Sequence, residues 1–348
     1  MKFRDIISSF FIFSRLLRVL SLLANEFRPS RDKTGRLSPP YLKKRERRNF
    51  QVLVYHRVND GGDRFFAATP TRVFRSQMQH LRSHYNVLDL GELVGVAKER
   101  TVPPNAIAVT FDDGYKDMFV NAFPILRELK IPATVFLPTE AIETRKGLWH
   151  DQVFSAFRET KVKELRCHWH QSLHFRLESL EEKLAAQQAV LNILRSLNSS
   201  ERSAWIQHLG EKLQVGEDGG GGELMLTWDE IKIMQSHGIS FGAHSMTHAI
   251  LATETRQIIM EEVSHSKTLI EERLVCPVRG FAYPSGRKKD FNETAKSIVK
   301  ECGYDYAVTM IFGSNEADQD VFELRRGLPW EENPKVFAMK LTLYKLLN

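Results

Sequence analysis

Two stretches of the sequence bring together the residue types that metal-assisted hydrolysis needs. Residues 106–115 read AIAVTFDDGY, a run of small and β-favouring residues that ends in two adjacent carboxylates and a glycine. That is the pattern of a buried strand delivering polar groups to its end. A lone Asp-Asp-Gly is an ordinary turn, so Asp112 and Asp113 gain meaning only from other parts of the chain. Residues 244–248 read HSMTH. On a helical turn that spacing puts His244 and His248 on one side, where both imidazoles reach one ion at about 2.0 to 2.1 Å. Two histidines and one carboxylate leave a coordination position open, where a water can ionise near neutral pH, and a carboxylate that is not a ligand can take its proton. A third stretch, Phe281 to Gly286, reads FAYPSG; its turn exposes backbone N–H groups that can face a developing oxyanion.

These groups share a position in the pattern: each stands just after a strand candidate. Strands are expected at Gln51 to Tyr55 (leading to His56), Tyr85 to Leu88, Ile107 to Phe111, Ala133 to Leu137, Ile239 to Ala243, Gly280 to Tyr283, Asp305 to Met310 and Phe322 to Leu324. Helices alternate with them. Thr69-Pro70 reads as an N-cap with proline at the first helical position, and Thr227 with Glu230 as a capping box for a helix to Ser236. Long helices are expected from Thr255 to Leu274 and from Asn292 to Cys302, and Asn333-Pro334 caps a terminal one. Seven or eight strands in such alternation predict an α/β fold, a parallel barrel whose C-terminal strand ends all lie on one face, where active sites are built. Between residues 147 and 222 the alternation stops, and the segment reads as a helical insertion, clearest from Glu178 to Leu197 and from Ser200 to Leu213. Trp149-His150-Asp151 at its start could line the site, although packing the insertion onto the barrel is the plainer role for Trp149.

In this order, Thr110-Phe111-Asp112-Asp113-Gly114, His244-Ser245-Met246-Thr247-His248 and Phe281-Ala282-Tyr283-Pro284-Ser285-Gly286 resemble the successive motifs of the polysaccharide deacetylases, the NodB-homology group of carbohydrate esterases. The resemblance covers roughly residues 50 to 330, with the insertion and the N-terminal tail outside it. It implies a distorted (β/α) barrel of about seven parallel strands, removal of acetyl groups from an N-acetylated sugar or glycan, and one divalent metal ion. It makes Asp112 the general base and Asp113, His244 and His248 the metal ligands; zinc is the first expectation, and cobalt, nickel or iron suit the same donors. The backbone N–H near Ser285 would serve the oxyanion; Tyr283 in the same motif, and Trp149 by its place at the entrance of the insertion, are the candidate substrate contacts. Many members carry a third-motif Arg and a C-terminal Leu-x-x-His-Asp element; this chain has Ala282 and Phe322-Glu323-Leu324-Arg325-Arg326 instead. It resembles the branch with Tyr-His near the first strand, so His56 becomes the candidate acid and Arg326 the candidate partner for Asp112. Loss of those two family elements also motivates the alternative, a metal- or glycan-binding module without turnover. A glycosidase that uses Asp112 and Asp113 is disfavoured, because sequence neighbours rarely flank one bond from opposite sides.

Composition excludes other classes. The formal net charge is +6, but residues 28–48 hold nine Lys/Arg against two Asp/Glu, and the last 300 residues carry a net −3. A slightly acidic body has no broad basic face for phosphates, which disfavours nucleic acid as a partner. Cys167, Cys276 and Cys302 are odd in number and lack C-x-x-C spacing, which fits a reducing, cytoplasmic setting and no disulfide framework. In residues 1–27, Ile6, Phe10, Phe13, Leu17 and Leu20 recur at helical spacing, interrupted by Arg15 and Arg18. With the basic stretch that follows, residues 1–48 read as an interfacial amphipathic segment and linker for an anionic membrane surface at the inner face, the alternatives being packing on the barrel or a signal anchor that places the barrel outside. Deleting residues 1–48 is expected to release the protein from anionic vesicles in a sedimentation assay and to leave folding and small-substrate turnover intact; vesicle binding equal to that of the full chain would refute this reading.

Overall fold

Three strands of five or six residues are buried at every position: β1 (Gln51–Tyr55), β3 (Ala106–Phe111) and β4 (Ala133–Leu137). Strands apolar on both faces belong in a parallel sheet covered on both sides. In the computed structural model, which describes residues 49–144, 146–168, 172–216 and 224–346, they lie side by side with β7 (Ile239–Ala243), β8 (Gly280–Ala282), β9 (Tyr306–Phe312) and β10 (Leu324–Arg326) in the order β1-β3-β4-β7-β8-β9-β10. All these pairings are parallel. Val54 N donates to Gly327 O at 3.1 Å and Gly327 N to Val52 O at 2.8 Å, which brings the end of β10 back onto β1. The result is a nearly closed barrel of seven parallel strands, with the short β2 (Asn86–Val87) paired to the start of β3. The stretch 1–48 lies outside the described residues, as do Gly219 to Gly222. No helix among the described residues is long and apolar enough to cross a membrane.

Side chains on successive strand residues point to opposite faces, and the sequence uses both. Val52, Ala106, Ala108, Phe136, Ala282, Val308 and Leu324 pack together with Tyr306 inside the barrel. Leu53, Ile107, Val109, Phe111, Val135, Leu137 and Phe281 face the surrounding helices. Those helices include α1 (Thr71–His84), α3 (Phe123–Leu129), α4 (Thr139–Thr144), α8 (Trp228–Ser236), α9 (Arg256–Leu274), α10 (Glu293–Glu301) and α11 (Pro334–Leu346), whereas α2 (Leu90–Lys98) packs Leu90, Leu93, Val94 and Ala97 against the inner cluster. The Thr227/Glu230 capping box forms as its spacing predicts. At α1 the start shifts by one residue: Pro70 is the N-cap, because Thr69 is held extended by bonds to Arg57 O and from Asn59 N, and Asp60 Oδ1 accepts from Thr71 N.

The insertion has its own core. Helices α5 (Trp149–Glu159), α6 (Leu180–Leu194) and α7 (Ser199–Leu213) bury Val153, Phe157, Val190, Leu194, Trp205 and Leu209 together with Ile250 of the barrel. It is not all helical. Glu164–His168 (β5) pairs antiparallel with Ser172–Arg176 (β6), and β5 alternates exposed and buried residues, turning Leu165 and Cys167 inward. That period of two is a strand signal, and the sequence reading absorbed it into helix.

Inside the barrel two glycines make room for large rings. A Cβ on Gly242 would come within 2.6 Å of the Phe136 ring and 2.7 Å of Gly280 O; one on Gly280 would meet the Tyr306 ring at 2.6 Å. Neither backbone oxygen nor a fully buried ring can yield freely. Gly242→Ala is therefore expected to cost about 1–3 kcal/mol by overpacking, read as a lowered urea midpoint at unchanged m-value; an unshifted midpoint would show that Phe136 has free space to move into.

Candidate functional site

The inward parity of the strands continues past their ends and selects the site. On β3, Ala106, Ala108 and Thr110 alternate toward the barrel axis, so Asp112 is next in that series, and its N–H still donates to Tyr55 O at 3.0 Å. Asp113 would then face outward in an extended chain. Instead it adopts φ 72°, followed by Gly114 at φ 65°. The left-handed region suits Asp and Gly, and a Cβ on Gly114 would crowd Ile142 and Leu137 at 3.0 and 3.1 Å. Both carboxylates thus turn into one cavity, each only 2% exposed.

His244 follows β7 in the same way, its N–H donating to Leu137 O at 2.9 Å. Its partner arrives by a different route from the helical turn expected for H-x-x-x-H. Residues 244–250 form an irregular loop in which Ser245 and His248 both have φ 60°. Glu262 of α9 holds that loop, accepting from Met246 N at 2.8 Å, Thr247 N at 3.0 Å and Thr247 Oγ1 at 2.6 Å, and Ser245 Oγ accepts from Ala249 N. Nothing in the sequence around Glu262 marks it for this role. His244 Nδ1 lies 2.7 Å from Ala282 O, so Nδ1 carries the proton and Nε2 presents its lone pair to the cavity.

Asp113 Oδ1 lies 3.4 Å from His244 Nε2 and 3.4 Å from His248 Nε2. Ligand atoms of one ion at about 2.0–2.1 Å in tetrahedral array would be about 3.3–3.4 Å apart. The three donor atoms lie within 4.8 Å of one another, all in buried residues. Asp113 Oδ1 is itself buried without a hydrogen-bond partner, an arrangement that costs stability unless a cation answers it. Burial pushes the Asp113 carboxyl up, but the closeness of His244, and after it of His248 and His56, outweighs burial and holds it far below the usual carboxylate range. Burial lowers His244 and His248; at His244 the adjacent Asp113 and then Asp112 overturn that effect and raise it, while His248 stays well below its ordinary value. Two imidazoles and one carboxylate fit a divalent ion of the zinc, cobalt, nickel or iron type.

Asp112 has a different partner. Strand β10 begins at Leu324, two residues later than the sequence suggested, and includes Arg326, which shares the inward face with Leu324. Arg326 is 1% exposed. It grips Asp112 with both nitrogens, Nη1 to Oδ1 at 2.8 Å and Nη2 to Oδ2 at 2.6 Å, and is itself fixed by Nε donating to Thr309 O at 2.8 Å and Nη1 to Thr110 Oγ1 at 3.2 Å. Burial would raise the Asp112 carboxyl, and the Arg326 charge, with smaller help from His244, brings it below the ordinary value. The fork occupies two of about four lone-pair sites on the carboxylate, and no other side chain among the described residues bonds to the rest.

The remaining candidates divide. His56 stands one residue after Tyr55, whose carbonyl binds Asp112 N, and its charge acts on both carboxylates. Among the described residues no hydrogen bond ties its ring to a backbone carbonyl. Ser285, at φ 58°, is half-buried in the turn after β8, where Gly286 O accepts from Met310 N at 2.8 Å and the Ser285 N–H donates to no backbone carbonyl among the described residues. Tyr283 is not brought to the cavity: it is fully buried and stacks on Phe291 at 4.3 Å in the layer between barrel and helices, so its position does not support a substrate contact. Trp149, 8% exposed, is also buried, and its indole donates toward His248.

His150 and Asp151, which the sequence offered with Trp149 as residues that could line the site, and Tyr115, beside the carboxylate pair, complete the wall. Tyr115 Oη lies 2.9 Å from both His150 Nε2 and Asp151 Oδ1, and His150 Nε2 is 3.9 Å from Asp113 Oδ2. Burial pushes Asp151 up to about 7 against the Leu148 N–H it accepts, while burial lowers His150 to about 4 despite Asp113.

A family model for polysaccharide deacetylases matches residues 99–307, a span that contains Asp112, Asp113, His244, His248 and Ser285 and stops short of His56 and Arg326. YxkH of Bacillus subtilis (strain 168), provisionally named a polysaccharide deacetylase, is 21% identical over 277 residues, 79% of this chain and 69% of that protein. The poly-beta-1,6-N-acetyl-D-glucosamine N-deacetylase of Staphylococcus epidermidis is 25% identical over 174 residues, 49% of this chain and 58% of that protein's length. The solved structure of Streptococcus pyogenes deacetylase PplD in complex with acetate superposes with a TM-score of 0.58 at 19% identity, covering 84% of this chain and 98% of that one; at that identity the likeness speaks for the fold.

The Asp112–Arg326 pair makes a stability test possible. Arg326→Met leaves a buried carboxylate without its cation and is expected to cost about 3–5 kcal/mol in urea unfolding at pH 7. Because the lone carboxylate can then take up a proton while the wild-type pair resists it, the deficit should shrink as pH falls through the raised value of the mutant. Adding Asp112→Asn should recover most of the loss. A single mutant as stable as wild type would show that the pair does not hold the barrel ends together.

Proposed function

Since this chain belongs to the polysaccharide deacetylase family, we propose that it is a metal-dependent hydrolase that removes acetyl groups from an N-acetylated sugar or glycan. The observation that carries this reading is the unpartnered Asp113 Oδ1 set equally between two imidazoles, beside a second carboxylate that Arg326 keeps ionised and aimed. Polymers of N-acetylated hexosamine are the substrate class to test first, because the staphylococcal relative carries that substrate in its name.

Asp113, His244 and His248 would hold the ion, which when bound supplies Lewis acidity toward the acetyl carbonyl and the attacking water. Asp112 accepts the proton of that water through the lone pairs that Arg326 leaves unused; its bidentate grip prevents the carboxylate from rotating out of line. Oxygen adds to the acetyl carbon, and the carbonyl oxygen gains negative charge that the Ser285 N–H faces. His56, across the strand ends from Asp112, donates a proton to the sugar nitrogen as the C–N bond breaks, so that acetate and a free amine leave. Arg326 supplies the guanidinium that Ala282 cannot, and this argues for turnover against the reading of a module that only binds.

Acetate release from N-acetylated oligosaccharides, measured together with metal content, tests these roles. The purified protein is expected to hold about one divalent ion per chain, and His244→Ala or His248→Ala to abolish it; full metal affinity in both variants would overturn the ligand assignment. His56→Ala is expected to keep the metal and to lower kcat about 10²- to 10⁴-fold on an amide substrate, with a smaller loss on an activated aryl acetate whose leaving group needs no proton. An equal loss on both substrates would assign His56 another job.

A further inference from the structure

We propose that Trp149, delivered by the first helix of the insertion, is a positioning residue for the metal ligand His248, so that the insertion is a working part of the metal centre. This rests on the reading of Asp113, His244 and His248 as the metal site. His248 sits at φ 60°, a left-handed conformation that costs a non-glycine residue about 1–2 kcal/mol and persists only where contacts impose it. From the barrel side, Glu262 and Ser245 fix the loop at Met246, Thr247 and Ala249. They leave His248 itself unheld. Among the described residues, the side chain that bonds to His248 is Trp149, whose Nε1 lies 3.3 Å from the His248 carbonyl oxygen and 3.2 Å from its Nδ1.

The chemistry of the two acceptors decides which contact serves the ion. An indole N–H can only donate. His248 turns Nε2 toward Asp113, so a ligating Nε2 leaves the ring proton on Nδ1, where it would oppose the indole N–H. In the ion-binding state the indole N–H therefore belongs on the carbonyl oxygen, and it acts by fixing the left-handed backbone that aims the ring. The indole is in turn backed by Arg202, 2% exposed, with Cζ 5.0 Å above the ring. Arg202 Nε donates to Leu194 O at 3.1 Å and Nη2 to Leu197 O at 2.7 Å, at the end of α6. A continuous set of contacts thus runs from the insertion core through Arg202 and Trp149 to His248. Partners of this kind typically change metal affinity 10- to 100-fold when removed.

The test uses the full chain and zinc or cobalt alone, with affinity read by competition against a chromophoric chelator. Trp149→Phe keeps the ring in its slot and deletes the N–H; zinc binding is expected to weaken by about tenfold or more, and the cobalt d–d spectrum to change. Affinity within twofold of wild type with an unaltered spectrum would overturn the proposal, and so would tighter binding, which would show the N–H holding His248 in the non-ligating tautomer. A second measurement needs no variant. In 15N-tryptophan-labelled protein, one of the five indole N–H signals should move on zinc addition and shift strongly with cobalt; five unmoved signals would overturn the proposal even if Trp149→Phe did not fold. A wild-type chain that binds neither ion would defeat the metal reading itself, and the positioning role with it.

Discussion

The site depends on one electrostatic constraint: carboxylates taken out of water must each be answered by a group the fold can supply. Asp112, Asp113 and Asp151 are all at most 3% exposed, and the fold answers each differently. Asp112 receives a guanidinium from β10, across β1 from its own strand. Asp151 receives the Leu148 N–H and the Tyr115 hydroxyl and, with no cation in contact, titrates near neutrality. Asp113 keeps one oxygen with no hydrogen-bond donor among the described residues. An uncompensated buried carboxylate costs several kcal/mol, so its retention beside two imidazoles is the mark of a place built for a cation.

That division of partners also divides labour. In the proposed reaction the carboxylate with an Arg of its own serves as the base, its charge balanced and its orientation fixed. The neighbouring carboxylate has nothing but imidazoles to turn to. Adjacent residues acquire different partners because a left-handed turn at Asp113 sends both into one cavity while those partners come from different strands: β10 for the first, and β7 with its loop for the second.

The insertion changes how the barrel should be pictured. A parallel barrel can build a site from its own strand ends, and here α5 adds Trp149, His150 and Asp151 to that wall, while Gln187 Nε2 donates to Phe65 O and Arg158 pairs with Asp63 in the loop that follows His56. The segment with its own hydrophobic core therefore touches both the ligand side and the proposed acid side of the cavity. Motion or loss of the insertion would reach the chemistry through those contacts.

Local rules made much of this legible. Uninterrupted apolar runs predicted the buried strands, Thr227 and Glu230 predicted their helix start, and the polar groups at strand ends predicted one catalytic face, because period, capping and parallel topology are properties of short stretches. Asp112, Asp113, His244 and His248 were identifiable for the same reason. The sequence could not show that the histidine loop would be irregular, since Glu262, which shapes it, arrives from a helix 14 residues past His248. It could not place the indole of Trp149 on His248, 99 positions away, or withdraw Tyr283 into the layer beneath the helices. Arg326 was nameable as a residue type, yet its grip on Asp112 exists only because barrel closure brings two strands 214 residues apart into the same interior. What the chain decided alone was which residues carry polar chemistry to the strand ends; which of them meet was decided by barrel closure and by the insertion that folds over its rim, because contacts between distant residues follow from topology and not from local pattern.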